Sequence, residues 1–110
     1  TNMPILIIIF CAFFLNATAQ TATFYHDKYE GRKTANGDIF HQDRMTCASN
    51  DYPIGTLLRI FHNGKSIDVR VNDRLKNGTK NVIDLTSFGF GLLADTSKGR
   101  LKIKIKIIKK

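Results

Sequence analysis

Apolar and polar residues alternate most regularly near the C terminus. There Leu101, Ile103, Ile105 and Ile107 interleave with Lys102, Lys104 and Lys106. A period of two predicts a strand with one apolar face and one face made wholly of lysine. Such a face has two readings: contact with an anionic polymer, or protection of an edge strand from aggregation. Residues Ser66 to Asn72 show the same period, with Ile67, Val69 and Val71 on one side and Asp68, Arg70 and Asn72 on the other. Continued past Asn72, the alternation sets Asp73 beside Val71 at the core rim and Arg74 opposite. Leu57 to Phe61 precedes this run across His62-Asn63-Gly64-Lys65, and Asn-Gly between two β-prone runs predicts a hairpin. Thr21 to Tyr25, Met45 to Ala48 and Val82-Ile83 are further short β-prone runs. Thr86 to Leu93 predicts a two-turn helix capped by Asp84 or Thr86, although Gly89 and Gly91 are poor helix formers. Between these elements lie a long polar segment, 26–44, and turns at Asp51 to Thr56 and Lys76 to Lys80. Six short strands and one brief helix predict a mainly β fold, closed as a small barrel.

Charge divides the chain unevenly. Residues 1–19 carry no charged side chain, Ile5 to Leu15 is almost unbroken apolar sequence, and Ala17-Thr18-Ala19 follows. This reads as a signal peptide over 1–19, cleaved near Ala19, with one domain over 20–110 and an exported product. The run is shorter than the roughly 18–20 apolar residues that a membrane span needs. Phe10 stands before Cys11 where a lipidation motif requires a small residue, so lipidation is not expected. The whole formal charge of +8 then belongs to the exported part. An anionic partner is implied. Export argues against nucleic acid and leaves wall polymers, anionic glycans and membrane surfaces. Cys47 becomes the single cysteine, which excludes an intramolecular disulfide and favours a buried apolar role over a reactive thiol.

No metal or cofactor is expected. His26, His41 and His62 are scattered without ligand spacing. There is no phosphate-binding loop and no serine in a nucleophile-elbow pattern. Carboxylates offer more. Asp73 ends a strand within Asn72-Asp73-Arg74, and Asp38 ends the Gly-bounded segment 31–38. Cleaving a glycosidic bond needs an acid for the leaving oxygen and then a base or nucleophile. A second carboxylate nearby would help the acid keep its proton. The competing reading pairs Asp73 with an arginine or gives it a turn to cap.

Tyr25, the segments 31–40, 45–48 and 53–56, Val69-Arg70-Val71-Asn72-Asp73-Arg74, and Val82-Ile83-Asp84-Leu85-Thr86 form a series of motifs in fixed order and spacing. Through them the chain resembles the RlpA (rare lipoprotein A) family of double-psi β-barrels. It implies a six-stranded barrel with one or two short helices. It also implies a lytic transglycosylase that cuts peptidoglycan glycan strands. Relatives by fold, the barwin-like and expansin-like proteins, include members that bind or loosen polysaccharide without hydrolysing it. Position by position, the family's Asp in Asn-Asp-Arg is Asp73, the expected general acid and base. Its Glu after Asn-Gly is Asp38, one methylene shorter. Its His is Ser49, which cannot titrate near neutral pH, and its Gly-Pro after Asn-Asp-Arg is Leu75-Lys76. Asp38 and Ser49 are expected to complete the catalytic set. Lys33, Thr34, Asn36, Asn72 and Arg74 are expected to bind substrate, with Tyr25 stacking on a sugar.

The expected function is an exported endolytic transglycosylase that leaves 1,6-anhydro-muramoyl ends. Its expected partner is peptidoglycan or another anionic wall polysaccharide, and its expected state is a monomer. The alternative is a non-catalytic wall-binding or wall-loosening module. A weaker third reading is a basic surface protein for anionic lipid or nucleic acid.

Overall fold

The computed structural model describes residues 18–110. The segment 1–17, with most of the expected signal peptide, lies outside the described residues. Six strands form one closed sheet: β1 (Thr18–Phe24), β2 (Thr46–Ala48), β3 (Leu57–His62), β4 (Lys65–Asp73), β5 (Val82–Leu85) and β6 (Leu101–Lys109). Around the barrel the order is β1-β5-β2-β4-β3-β6, with β6 returning to β1. Two pairs, β1 with β5 and β2 with β4, run parallel, and the other neighbours are antiparallel. This is the six-stranded, mainly β barrel that the alternation and the resemblance predict.

Period-two alternation works here because each strand has one face inside the barrel. Ala22, Leu58, Ile60, Val69, Val71, Ile83, Leu85, Ile103 and Ile105 meet in one core that Phe90 and Leu93 extend. Each such large side chain contributes roughly 1.5–3 kcal/mol by leaving water. Cys47 lies in the same core, and burial, with the charge of Asp84 second, pushes its thiol well above the usual range. The β3–β4 hairpin turns at Asn63 and Gly64, both at positive φ (46° and 78°), as a two-residue primed turn requires. One expectation fails in part. β6 is not an edge, because β1 and β3 both hydrogen-bond to it.

Helix α1 (Ser87–Leu93) follows β5 directly. Its cap is Thr86, whose Oγ1 accepts from the Gly89 amide at 3.0 Å and donates to the Arg44 carbonyl at 2.6 Å. Asp84 is not the cap. A Cβ on Gly89 would stand 3.2 Å from that same Thr86 oxygen, so close approach accounts for a residue that helix propensity disfavours.

The polar segment after β1 is ordered by its own small hairpin. The Gly31 and Phe40 amides donate to the Phe40 and Arg32 carbonyls, and the Thr34 amide to the Asp38 carbonyl at 2.8 Å. Gly37 supplies the positive φ, 92°, at its tip. A second apolar cluster of Tyr25, Phe40 and Ala48, with Tyr29 and Leu75 against it, holds this hairpin on the barrel. The Asn36 amide reaches the Asn72 carbonyl at 3.2 Å, which places the hairpin tip over the end of β4.

Candidate active site

The end of β4 does not continue the alternation. Along the parallel β2–β4 pair, Cys47 is level with Val71, but Ala48 is level with Asp73, so the register skips Asn72. Such a bulge re-aims the side chains beyond it. Val71 and Asn72 are consecutive and both buried, while Asp73 is half-buried at the surface of the barrel. The expectation that Asp73 shares the side of Val71 is corrected accordingly.

Three donors hold the Asp73 carboxylate. Its Oδ2 accepts from the Tyr25 hydroxyl at 2.7 Å, and its Oδ1 accepts from the amides of Ala35 at 2.8 Å and Arg74 at 2.9 Å. Hydrogen bonds to a charged acceptor are worth about 1.5–3 kcal/mol each. Burial raises the Tyr25 hydroxyl far above its ordinary range, and the bond to Asp73 adds to this, so it stays a donor. The Tyr25 ring is only 7% exposed. It stacks on Phe40 at 4.2 Å between centroids and meets the edge of Tyr29 at 5.9 Å. The ring thus belongs to the apolar cluster, while the hydroxyl holds Asp73 at the cleft that Tyr25 helps to line.

Asp73 borders a cleft of about 580 Å³ whose lining includes Tyr29, Arg32, Lys33, Arg74 and Lys76. The second carboxylate in that cleft is Asp84, not Asp38. On β5, Asp84 alternates with the buried Ile83 and Leu85 and is level with Ala48, whose other neighbour is Asp73. The two acids thus flank the small side chain of Ala48 on either side of β2. Burial raises the Asp84 carboxyl above the usual range. The hydrogen bond from Thr23 Oγ1, at 2.8 Å, opposes this, and the charge of Asp73 adds to it. Sequence reading missed Asp84 as a site residue because a polar group just before a helix reads as a cap. The available signal was its outward position between two apolar residues in the Val82-to-Thr86 segment.

The remaining expected residues fall in two groups. Asp38, Asn36, Thr34 and Asn72 form a network beside the cleft. Asp38 Oδ2 accepts from Asn36 Nδ2 at 3.0 Å and from Asn72 Nδ2 at 3.3 Å, while Asn36 Oδ1 accepts from the Thr34 hydroxyl at 2.7 Å and the Asp38 amide at 3.0 Å. Asp38 and Asn72 line an adjacent hollow of about 420 Å³ together with His41 and Arg44. Asp38 is therefore linked to the Asp73 segment through Asn72 and opens on a different hollow. Ser49 and Arg74 hold the backbone around Asp73. Ser49 is fully buried, and its Oγ accepts from the Asp51 amide at 3.0 Å. Its amide donates to the Asp73 carbonyl at 3.1 Å, and its own carbonyl accepts from Arg74 Nη1 at 2.6 Å. Arg74 Nη1 also reaches the Tyr52 carbonyl at 2.7 Å. Lys33 is exposed on the cleft. His41 and His62 are engaged elsewhere: His41 Nδ1 with Glu30 at 2.6 Å, and His62 Nδ1 with the Lys102 carbonyl at 2.9 Å.

Comparison with known proteins follows the same lines. A family model described as lytic transglycolase matches residues 17–105. The uncharacterized protein ssl3177 of Synechocystis is 39% identical over 89 residues, covering 79% of this chain and 94% of that protein. RlpA of Haemophilus influenzae, named an endolytic peptidoglycan transglycosylase, is 34% identical over 89 residues, but the chain spans only 31% of its length. For the like-named protein of Rickettsia bellii the identity is 34% and the share spanned 37%. Among solved structures, Streptomyces papain inhibitor superposes with a TM-score of 0.71 at 23% identity, covering 84% of this chain and 94% of that one. An expansin of Clavibacter michiganensis, in its complex with cellohexaose, gives 0.67 at 20% identity, covering 84% of this chain and 50% of that one. These two likenesses establish shared architecture alone. With the family model matched across the barrel and the strands closed in the expected way, the chain belongs to the lytic transglycolase family of RlpA-like double-psi β-barrels.

Proposed function

We propose that the protein is an exported endolytic peptidoglycan transglycosylase with Asp73 as its general acid and base. The observation that carries this reading is the held carboxylate: Asp73, fixed by Tyr25, Ala35 and Arg74, at the wall of an open, cation-lined cleft. In the reaction the protonated Asp73 gives its proton to the glycosidic oxygen as the C1–O bond breaks. The muramic C6 hydroxyl then attacks C1, and its proton passes to the Asp73 carboxylate. The ring closes as a 1,6-anhydro sugar, no water is consumed, and the acid is restored. Asp84 modulates the charge in the cleft, and Lys33 and Arg32 meet hydroxyls or peptide carboxylates. Asp38, Asn36, Thr34 and Asn72 brace the hairpin that covers the site. Ser49 and Arg74 orient Asp73 through the backbone. Export is supported by the uncharged, largely apolar segment 1–19 and by the peptidoglycan that the relatives' names mention.

The test is digestion of purified, peptide-stripped glycan strands, with mass spectrometry of the products. Wild type should release anhydro-muramoyl ends. Asp73→Asn should slow release by about 10²–10⁴-fold, the usual worth of a positioned acid–base group. Strands that wild type binds but never cleaves would overturn this reading. They would favour the alternative, a wall-binding or wall-loosening module, for which Ser49 at the family's histidine position is the supporting observation.

A further inference from the structure

The barrel carries a second polar surface that the cleft does not use. In the ring of strands β6 lies three places from β2, the strand that separates Asp73 from Asp84. The outward row of β6 is Lys102, Lys104 and Lys106, all exposed, and spaced about 6.8 Å apart along an extended strand. Edge protection does not account for them, since both edges of β6 are paired. The register sets Lys102 opposite Thr21, Lys104 between Ala19 and Phe61, and Lys106 opposite Arg59. Among the described residues, then, it sets no carboxylate opposite Lys102 or Lys104. Lysine is disfavoured in strands, so strand propensity does not account for the row either.

One end of the row opens into a hollow of about 360 Å³ between Phe61, the Asn63–Gly64 turn, Lys102 and Lys104. Phe61 is 37% exposed and shares this hollow with Lys102 and Lys104. An apolar ring face next to a line of cations suits a pyranose that bears carboxylates. We propose that this face is a second binding site, for a carboxylate-bearing glycan strand of the cell wall. Phe61 packs on a sugar ring, Lys102 and Lys104 pair with carboxylates, and Lys106 extends the track. The choice of polymer rests on the function proposed above, but the site needs no chemistry in the cleft.

The test is co-sedimentation of the full chain with insoluble peptidoglycan sacculi at low salt. Replacing the lysines with glutamine (K102Q/K104Q/K106Q) should lower retention by about tenfold or more, and the loss should shrink as salt screens the wild type. The arginine triple (K102R/K104R/K106R) should retain wild-type binding, which separates charge from folding. Phe61→Ala should weaken retention without changing its salt dependence. Coupling the sacculus carboxylates to ethanolamine should abolish the advantage of wild type over the glutamine triple. Equal retention of the glutamine triple and wild type overturns the proposal. So does lysine-dependent binding to phosphatidylglycerol vesicles, or to single-stranded DNA, that matches binding to sacculi. Cleavage of short soluble glycan fragments reads the cleft separately. Loss of that activity with intact lysine-dependent retention counts against the transglycosylase reading alone.

Discussion

A reactive carboxylate on a small barrel needs fixed aim more than it needs many partners. Tyr25 supplies aim from 48 residues away, through one hydroxyl at 2.7 Å. Tyr25→Phe keeps the stacked ring and deletes that donor. One hydrogen bond to a charged acceptor is worth about 1.5–3 kcal/mol, so turnover should fall roughly 10- to 100-fold. KM should change little, because the ring stays packed on Phe40 and Tyr29 in the variant. Equal kcat in the variant would separate Tyr25 from catalysis. Ser49 should behave differently. Its hydroxyl serves the Asp51 amide inside the protein, so Ser49→Ala should cost about 1 kcal/mol of stability and leave the cleavage rate within about twofold. Thermal melts and product release distinguish the two effects. The place of Asp73 at the end of β4 was legible because its motif is local. Tyr25 as its holder and Asp84 as its neighbour were not, because both depend on which strands meet at Ala48.

At the scale of elements, Gln42 ties the covering hairpin to the barrel and to α1. Its Nε2 donates to the Tyr25 carbonyl at 2.8 Å and to Asp27 Oδ1 at 2.9 Å, while its Oε1 accepts from the Ser87 amide at 2.9 Å. Its backbone amide also reaches Glu30 Oε1 at 2.9 Å. Gln42→Ala leaves a helix amide and a strand-end carbonyl without protein partners, at about 1–3 kcal/mol. Amides of 31–40 should then exchange faster than those of the barrel core, and turnover should fall as Ala35 loosens its hold on Asp73. Unchanged exchange in that segment would refute the coupling. The six strands themselves were legible, since a one-sided core imposes period two on each. Two elements were not. The bulge at Asn72 arises from the neighbouring strand β2, so β4 alone cannot signal it. The hairpin of residues 31–40 has no apolar alternation. Its Lys33–Ile39 bridge comes from docking Phe40 and from the turn at Gly37, and reads in sequence only as a polar loop.

For the whole molecule, Asp84 sets a conflict between stability and the site. Its folded pKa is raised above the usual 3.8, chiefly by burial. The native state therefore holds this proton more tightly than the unfolded chain does. That contribution is fully present below the unfolded pKa and is lost as pH rises through the folded one. Asp68, Glu30 and Asp95 have the opposite sign: hydrogen bonds and neighbouring cations lower their pKa values, so their support is lost as pH falls. The net profile of the wild type mixes both kinds, but comparison with Asp84→Asn isolates one. The amide keeps an acceptor for the Thr23 hydroxyl and carries no charge. Melting followed from about pH 3 to about pH 8 should show no gain for the variant at the acid end. Its advantage in Tm should grow through the raised carboxylate range and then level off near neutrality. A variant less stable than wild type at neutral pH would mean that burial of the Asp84 charge is compensated, and the argument fails. If the advantage appears together with loss of glycan cleavage or binding, the ionised Asp84 is kept at the expense of stability because the cleft uses it.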